Sequence, residues 1–386
     1  MTVAAAQLRG VRLAHLIESD GPGGAERMLA GLAAELQGAG AENVVIAPAG
    51  GEGWLGRELG GTGVQLELFR LDRPISPMFA RWLAGTLCRH RVALAHSHEF
   101  TMAVYGAWAA RRARVAHLFT MHGSRYYAAQ LRRRIAMRVA AALSGSVVAV
   151  SHGLARHLSR DLWIRPSRIV TIPNGARLTP VARSSLRDEL KLGEADQLAL
   201  AVGNLYPVKG HGCLLEALGL LAERFPRLHV LIAGRGELEG PLLARARALH
   251  IDDRFHLLGL RSDVGNLLAG ADVFVLPSLS EGLPLALLEA MLTARPIVAT
   301  AVGEVPTVLA GGAGVVVRPA DPAALAAALA AVLSDPAEAR RLGAAAALRA
   351  AEEYTLSRMM ERYVALYAAL LTTEARPPQR LCPAAS

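Results

Sequence analysis

The chain has 386 residues, 52% of them hydrophobic and 19% charged, enough apolar sequence for two cores of about 150–200 residues each and too little charge for a disordered chain. Its formal net charge of +9 is lopsided, because residues 1–180 carry 22 Arg against 11 acidic residues while the remainder is slightly acidic; such a half suits an anionic partner. Cys88, Cys213 and Cys382 show no CxxC spacing, which excludes a zinc ribbon or a disulfide scaffold and points to a reducing compartment, and no apolar run reads as a signal peptide or a membrane span.

Short β-rich apolar runs alternate with amphipathic stretches, the pattern of parallel sheets with helical crossovers. Strands are predicted at 11–17, 43–47, 64–68, 94–97, 116–121 and 147–150, with helices at 25–37, 78–90, 102–112 and 132–143. Residues 181–197 turn polar and strand-poor and read as a linker. The alternation restarts with strands at 198–202, 229–233, 255–257, 273–276, 297–300 and 315–317, and helices at 212–225, 239–249, 284–293, 322–333 and 336–353. A last amphipathic helix, 356–371, precedes a Pro-containing tail, 372–386, expected to be disordered. The fold class is therefore α/β, with two doubly wound domains at 1–180 and 198–355. Ligands in such sheets bind beyond the carboxyl ends of the strands, so a cleft between two such faces is the expected site.

Four places in the second half follow a strand end. In the run 203–210, Gly203 and Gly210 admit a ligand to the backbone, Asn204 stands beside them, and Lys209 offers a point charge to a diphosphate, although an ordinary turn with a solvated lysine reads equally well. Gly234-Arg235-Gly236 is a GxG turn whose third glycine, Gly240, falls one place late for a dinucleotide fingerprint. The loop 279–283 holds Glu281, and the helix after Pro284 holds Glu289 eight residues on; one carboxylate suits a sugar and the other a ribose, or either simply solvates a helix. The turn 301–306 offers backbone amides. In the first half, Gly23 and Gly24 open a helix and present free N–H groups to an anion. His96, His98 and His122 lie at the ends of the fourth and fifth strands on that same edge. A lone histidine is usually structural, but three beside a glycine turn favour a site. The chain contains no Asp-x-Asp to hold a divalent ion against a diphosphate, so no metal and no cofactor are expected.

With these residues assembled, the chain resembles the group 1, or family 4, glycosyltransferases of the GT-B fold. The resemblance rests on Gly23-Gly24-Ala25-Glu26, on His122 within Phe119-Thr120-Met121-His122-Gly123, on Pro173-Asn174-Gly175, on 203–210, and on 271–291 with its Glu281/Glu289 pair. It implies two Rossmann-like domains facing across a cleft, an acceptor-binding one at 1–180 and a nucleotide-sugar-binding one at 198–355, with helix 356–371 crossing back onto the first. It implies a retaining, metal-independent transfer of a sugar from a nucleotide-diphosphate sugar to a glycan or lipid-linked acceptor in cell-surface polysaccharide assembly. Position by position, it implies catalytic roles for His122, Glu281 and Lys209. Gly23, Gly24, Gly203, Asn204, Lys209, Gly234, Arg235, Glu281, Gly282, Leu283 and Glu289 would bind donor, Glu289 at the ribose, and His96 and His98 would face the acceptor.

Two positions depart from the family pattern: Asn204 stands where an Arg is common, and Gly303-Glu304-Val305-Pro306-Thr307 replaces Gly-Gly-x-Pro-Glu. An NAD-type oxidoreductase would need a full GxGxxG, which neither turn supplies. A nucleotide-sugar epimerase, a glycoside phosphorylase and a silent sugar-nucleotide binder share the remaining features. Arg125, Arg132, Arg133, Arg134 and Arg138 lie in or beside an amphipathic stretch, so an anionic membrane is the expected partner of the first half, with the protein cytoplasmic or at the membrane's inner face. Nucleic acid is not expected, since no aromatic residues alternate with those arginines.

Overall fold

The computed structural model describes residues 7–51, 53–123, 130–177, 181 and 183–373; Arg125, Cys382 and the tail from residue 374 lie outside them. Two units separate, one running to Asn174 and resuming at Leu356, the other covering Gly175–Thr355.

In the first unit, β1 (Arg12–Leu16), β2 (Glu42–Pro48), β3 (Gln65–Phe69), β4 (Leu94–His98), β5 (Ala116–Met121), β6 (Ser146–Ala149) and β7 (Ile169–Thr171) form one sheet in the order 3-2-1-4-5-6-7. Every pairing is parallel, so each return needs a crossover. Helices α1 (Gly24–Gly38), α2 (Trp54–Glu58), α3 (Pro77–Arg89), α4 (Glu99–Ala113), α5 (Leu131–Leu143) and α6 (His152–Leu162) lie between the strands. Ser76 and Pro77 start α3 together: the Ser76 hydroxyl accepts from Phe79 N at 3.1 Å and the proline stands where its missing N–H costs nothing. The order in which strands are added to the sheet reverses at β1/β4, which places the Gly23 turn and the end of β4 at the topological switch point.

The second unit repeats the scheme with β8 (Gln197–Val202), β9 (Leu228–Ala233), β10 (Phe255–Gly259), β11 (Val273–Leu276), β12 (Ile297–Thr300) and β13 (Val315–Val317), ordered 10-9-8-11-12-13 and again all parallel. Its helices are α7 (Leu186–Leu190), α8 (His211–Leu221), α9 (Glu239–Ala248), α10 (Val264–Gly270), α11 (Leu285–Leu292), α12 (Val305–Val308), α13 (Pro322–Ser334) and α14 (Pro336–Glu353). Here the switch point is β8/β11. The stretch expected as a linker is part of this unit: α7 lies within it, and Leu186 is buried with Leu267, Leu268 and Phe274. Its few leucines suffice to dock one short turn although its composition is polar.

Helix α15 (Leu356–Thr373) belongs to the first unit. Leu356, Met359, Met360, Tyr363, Val364, Tyr367 and Leu370 recur at intervals of three and four and are buried against Leu13, Met28, Leu32 and Leu94. Cys213 is a free thiol, partly buried.

Candidate functional site

The four turns singled out in the second half belong to one rim, the carboxyl edge of the second unit's sheet. Backbone hydrogen bonds stitch them together: Gly203 N to Ala233 O (2.9 Å), Leu205 N to Arg235 O (2.9 Å), Leu279 N to Val208 O (2.8 Å) and Glu304 N to Gly282 O (3.1 Å). Glycine makes the close approach possible. A Cβ at Gly234 would overlap the Gly203 carbonyl, one at Gly210 the Pro277 carbonyl, and one at Gly303 the Glu281 carbonyl. Gly210 and Gly303 also have φ of +66° and +53°, where a side chain is strained. Gly240, by contrast, starts a helix with nothing within 4 Å of a Cβ.

Charged chemistry sits on this rim. The Lys209 ammonium donates to Glu281 Oε1 at 2.7 Å, and the Ser278 hydroxyl donates to the same oxygen at 2.7 Å. The Glu281 side chain is only 10% exposed and that of Lys209 26%, so the carboxylate is held by two donors and the ammonium keeps an open side. The sequence placed Lys209 on the diphosphate and Glu281 on the sugar; the structure joins them directly. Thr300 donates to Ser278 O at 2.5 Å and thereby fixes the loop between β11 and α11. His211, buried at the start of α8, donates through Nε2 to Gly203 O (3.2 Å) and Asn204 O (3.3 Å). Burial lowers its pKa to about 4, so it stays neutral and serves as a clamp on the first turn. Ser278, Thr300 and His211 escaped the sequence reading, although His211 directly follows Lys209-Gly210. Of the other expected donor residues, Asn204 and Gly282 are partly exposed, Leu283 is buried, Arg235 is exposed, and Glu289 lies partly exposed on α11.

On the first unit, Gly23 is the N-cap of α1, and a Cβ there would meet only the end of the Glu26 side chain, which can turn aside; Gly24 has open space around it. The histidines form a connected interior group. His96 is fully buried, and both its nitrogens are engaged, Nδ1 with the Tyr367 hydroxyl at 2.6 Å and Nε2 with Thr120 Oγ1 at 2.7 Å. Thr120 in turn meets the Tyr363 hydroxyl at 2.9 Å. His96 therefore does not face an acceptor; it fastens α15 to β4 and β5. The expectation failed because the last turn of a fully buried strand offers its side chains to the core on both faces. His98 is also fully buried, its Nδ1 3.3 Å from Nε2 of His122, with the two rings stacked. Nε2 of His98 and Nδ1 of His122 are buried and have no hydrogen-bond partner among the described residues. An unmet buried polar atom costs about 1–3 kcal/mol, a cost that a ligand hydroxyl or water relieves. Burial depresses His122 to about 4 and holds His96 and His98 well below the usual imidazole range, so all three are neutral at pH 7.

Among the described residues, His15, His96 and His98 bring ligand atoms within 4.8 Å of one another. The set fits a metal ion poorly: both His96 nitrogens are already bonded, and its ring lies 4.1 Å from that of His98 in a tilted stack rather than converging on a point.

Two family models divide this chain between them, Glycosyltransferase Family 4 over residues 22–179 and Glycosyl transferases group 1 over residues 182–349. The chain belongs to the group 1 glycosyltransferases. The UDP-Gal:alpha-D-GlcNAc-diphosphoundecaprenol alpha-1,3-galactosyltransferase of Escherichia coli is 30% identical over 229 residues, 55% of this chain and 58% of that protein. The first curated relatives are matched over only 38–58% of their own length. Over the whole fold, this glycosyltransferase is similar to one from Rickettsia africae (TM-score 0.81, 21% identity, 94% of this chain and 99% of that one). It is equally similar to Anabaena Alr3699/HepE, crystallised with UDP (TM-score 0.80, 21% identity, 93% and 100%). These likenesses carry the GT-B fold.

Proposed function

We propose that this glycosyltransferase moves a sugar from a nucleoside-diphosphate sugar to a hydroxyl of a glycan or lipid-linked acceptor in cell-surface polysaccharide assembly, retaining anomeric configuration and using no metal ion. The observation that carries the reading is the Lys209–Glu281–Ser278 set on the glycine rim at the β8/β11 switch point. On binding, Lys209 and the rim amides stabilise charge developing on the leaving diphosphate. Glu281 meets hydroxyls of the donor sugar, Glu289 meets the ribose, and the first unit, with His122, takes the acceptor. The lack of Asp-x-Asp in the sequence and the presence of Lys209 on the rim support the metal-free part of this reading. The UDP complex of the Anabaena neighbour and the name of the E. coli relative support the donor class.

A thermal-shift screen of UDP, GDP, ADP, TDP and their sugars tests the donor. A ligand that binds the folded state raises stability as RT ln(1 + [L]/Kd), so one base should stand out. NAD raising stability while all diphosphates fail would favour an oxidoreductase, and conversion of the donor sugar without acceptor would favour an epimerase.

A membrane role for the first unit rests on α5. Leu131, Ile135, Val139 and Leu143 are exposed at intervals of four, opposite buried Met137, Ala140 and Ala141, and Arg132 and Arg138 are exposed beside them. Arg134 is partly committed, donating to Asp161 O at 2.7 Å and lying 5.7 Å over the Trp163 ring. An apolar stripe edged with arginine suits an anionic bilayer surface. Cosedimentation with anionic vesicles should fall with salt; a protein that stays in the supernatant at low salt removes the membrane from the account.

A further inference from the structure

Three carboxylates lie near the switch point of the first unit, and two of them are occupied by the protein. Glu18 accepts from Thr101 N at 2.6 Å, inside the first turn of α4, and Glu26 accepts from the Ser19 hydroxyl at 2.5 Å. Glu99 differs. It follows the last residue of β4, and its Oε1 accepts from the backbone N–H of His122 at 3.2 Å, just past the end of β5. No described residue bonds its Oε2, and the residue is partly exposed. His98, the residue before Glu99 at the end of β4, stacks on His122 past the end of β5, and their Nε2 and Nδ1 lack partners among the described residues. A hydroxyl both donates and accepts, so a carboxyl and an imidazole set side by side can each take one half of it. The backbone of Glu99 is left-handed, with φ +65°, a conformation that a glutamate adopts only where its surroundings hold it there.

We propose that Glu99 is a hydroxyl-binding residue for the acceptor, its carboxyl fixed on the His122 amide at the ends of β4 and β5. The proposal rests on the reading of the first unit as the acceptor side. Burial chiefly, then the charge of Glu18 and of Glu26, raises the Glu99 carboxyl to about 8, against the opposing pull of the His122 amide. The imidazoles of His15, His96, His98 and His122 are all held neutral by burial and offer no compensating cation. The acid therefore carries its proton below about pH 8 and can donate to an acceptor oxygen; above that pH it ionises beside Glu18 and loses the donor.

The test uses the full chain with methyl glycosides of glucose, galactose and N-acetylglucosamine as hydroxyl probes, and nucleoside diphosphates as the donor-side control. Carbon-13 NMR of labelled glutamate, with E99Q used for assignment, follows the Glu99 carboxyl. At pH 7 at least one glycoside should bind saturably and shift that signal. Binding should weaken above pH 8 in the wild type and stay level in E99Q, whose amide retains a donor at every pH. Glu99→Gly should weaken glycoside binding at least tenfold and leave nucleoside diphosphate affinity unchanged. Glu99→Gly relieves the left-handed φ but removes the acceptor of the His122 amide, so its melting point is compared with that of E99Q, which keeps that acceptor and should melt as the wild type does. Glycoside binding that never touches the Glu99 signal, unchanged affinity in E99G, or an alkaline loss that persists in E99Q overturns the proposal, as does no glycoside binding by a protein that still binds a diphosphate. Failure to bind any diphosphate would instead overturn the donor reading.

Discussion

Replacing Gly303 by alanine tests how tightly the rim is built. A Cβ there would overlap the Glu281 carbonyl oxygen and lie 2.8 Å from Gly282 O and 2.9 Å from the Glu281 carbonyl carbon. All three neighbours are backbone atoms, so no flexible side chain can give way. The residue also keeps φ near +53°, which costs alanine about 1–2 kcal/mol relative to glycine. Overpacking against a fixed backbone adds roughly 1–3 kcal/mol. A sum of about 3 kcal/mol lowers the melting temperature of a unit this size by about 6–12 °C. Function should suffer more than stability, because the displaced segment carries Glu281 itself, and a misplacement of about 1 Å can cost about a hundredfold in turnover. Differential scanning fluorimetry and steady-state kinetics on G303A provide the readouts. Gly240→Ala is the matched control: with open space around its Cβ it should keep full activity and gain about 0.5–1 kcal/mol. Wild-type melting and turnover in G303A would refute the claim that glycine is required for the rim to close.

Lys209→Ala should lower kcat about 10²–10³-fold if the ammonium stabilises the leaving diphosphate, while Glu289→Gln should mainly raise the donor KM because ribose contacts exist in ground and transition states alike; kinetics that match wild type in both would remove these residues from the site. Chelation with EDTA should leave the rate unchanged, and loss of activity restored by magnesium or manganese would contradict the metal-free reading. Acid should unfold the first unit early. Its buried His15, His117 and His122 have folded pKa values of about 4, 3 and 4, below the unfolded value, so their contribution is complete above pH 6.5 and lost as pH falls toward 4. Each then removes about 1.4 kcal/mol per pH unit. Trp54, Trp82, Trp108 and Trp163 all belong to this unit, so the urea midpoint followed by tryptophan fluorescence should drop between pH 6.5 and 5; a flat midpoint would mean that these histidines are not buried neutral.

The alternation of buried strands and amphipathic helices was legible because parallel strands covered on both faces read as unbroken apolar runs, as in Val147–Val150 and Val273–Leu276. What escaped were pieces whose signal is weak or local. Strand β7 is three residues long and only partly buried. Helix α6 shows Leu154, Leu158 and Leu162 at intervals of four behind a Ser151 cap, but its polar positions hid a pattern that a strict count would have found. The lysine, the glutamates and the glycine turns of the rim could be named from their places after strand ends. That Glu281 would pair with Lys209 could not, since the pairing depends on how β8 and β11 lie side by side. Histidine proved the least readable residue. His96 and His98 occupy the same strand two positions apart, yet one is consumed by Tyr367 and Thr120 while the other keeps a nitrogen unpartnered, a difference set by α15 more than 250 residues away.

The central claim, sugar transfer from a nucleoside-diphosphate donor, is tested most directly by following the donor and its products by proton NMR. The enzyme is incubated with the nucleotide sugar that thermal shift selects, with and without a panel of glycan and lipid-linked hydroxyl acceptors. The account predicts nucleoside diphosphate release that depends on acceptor, a new glycoside whose anomeric configuration matches the donor's, and loss of both in K209A. Release at the same rate without acceptor, a product of opposite configuration, or no consumption of any nucleotide sugar would contradict it.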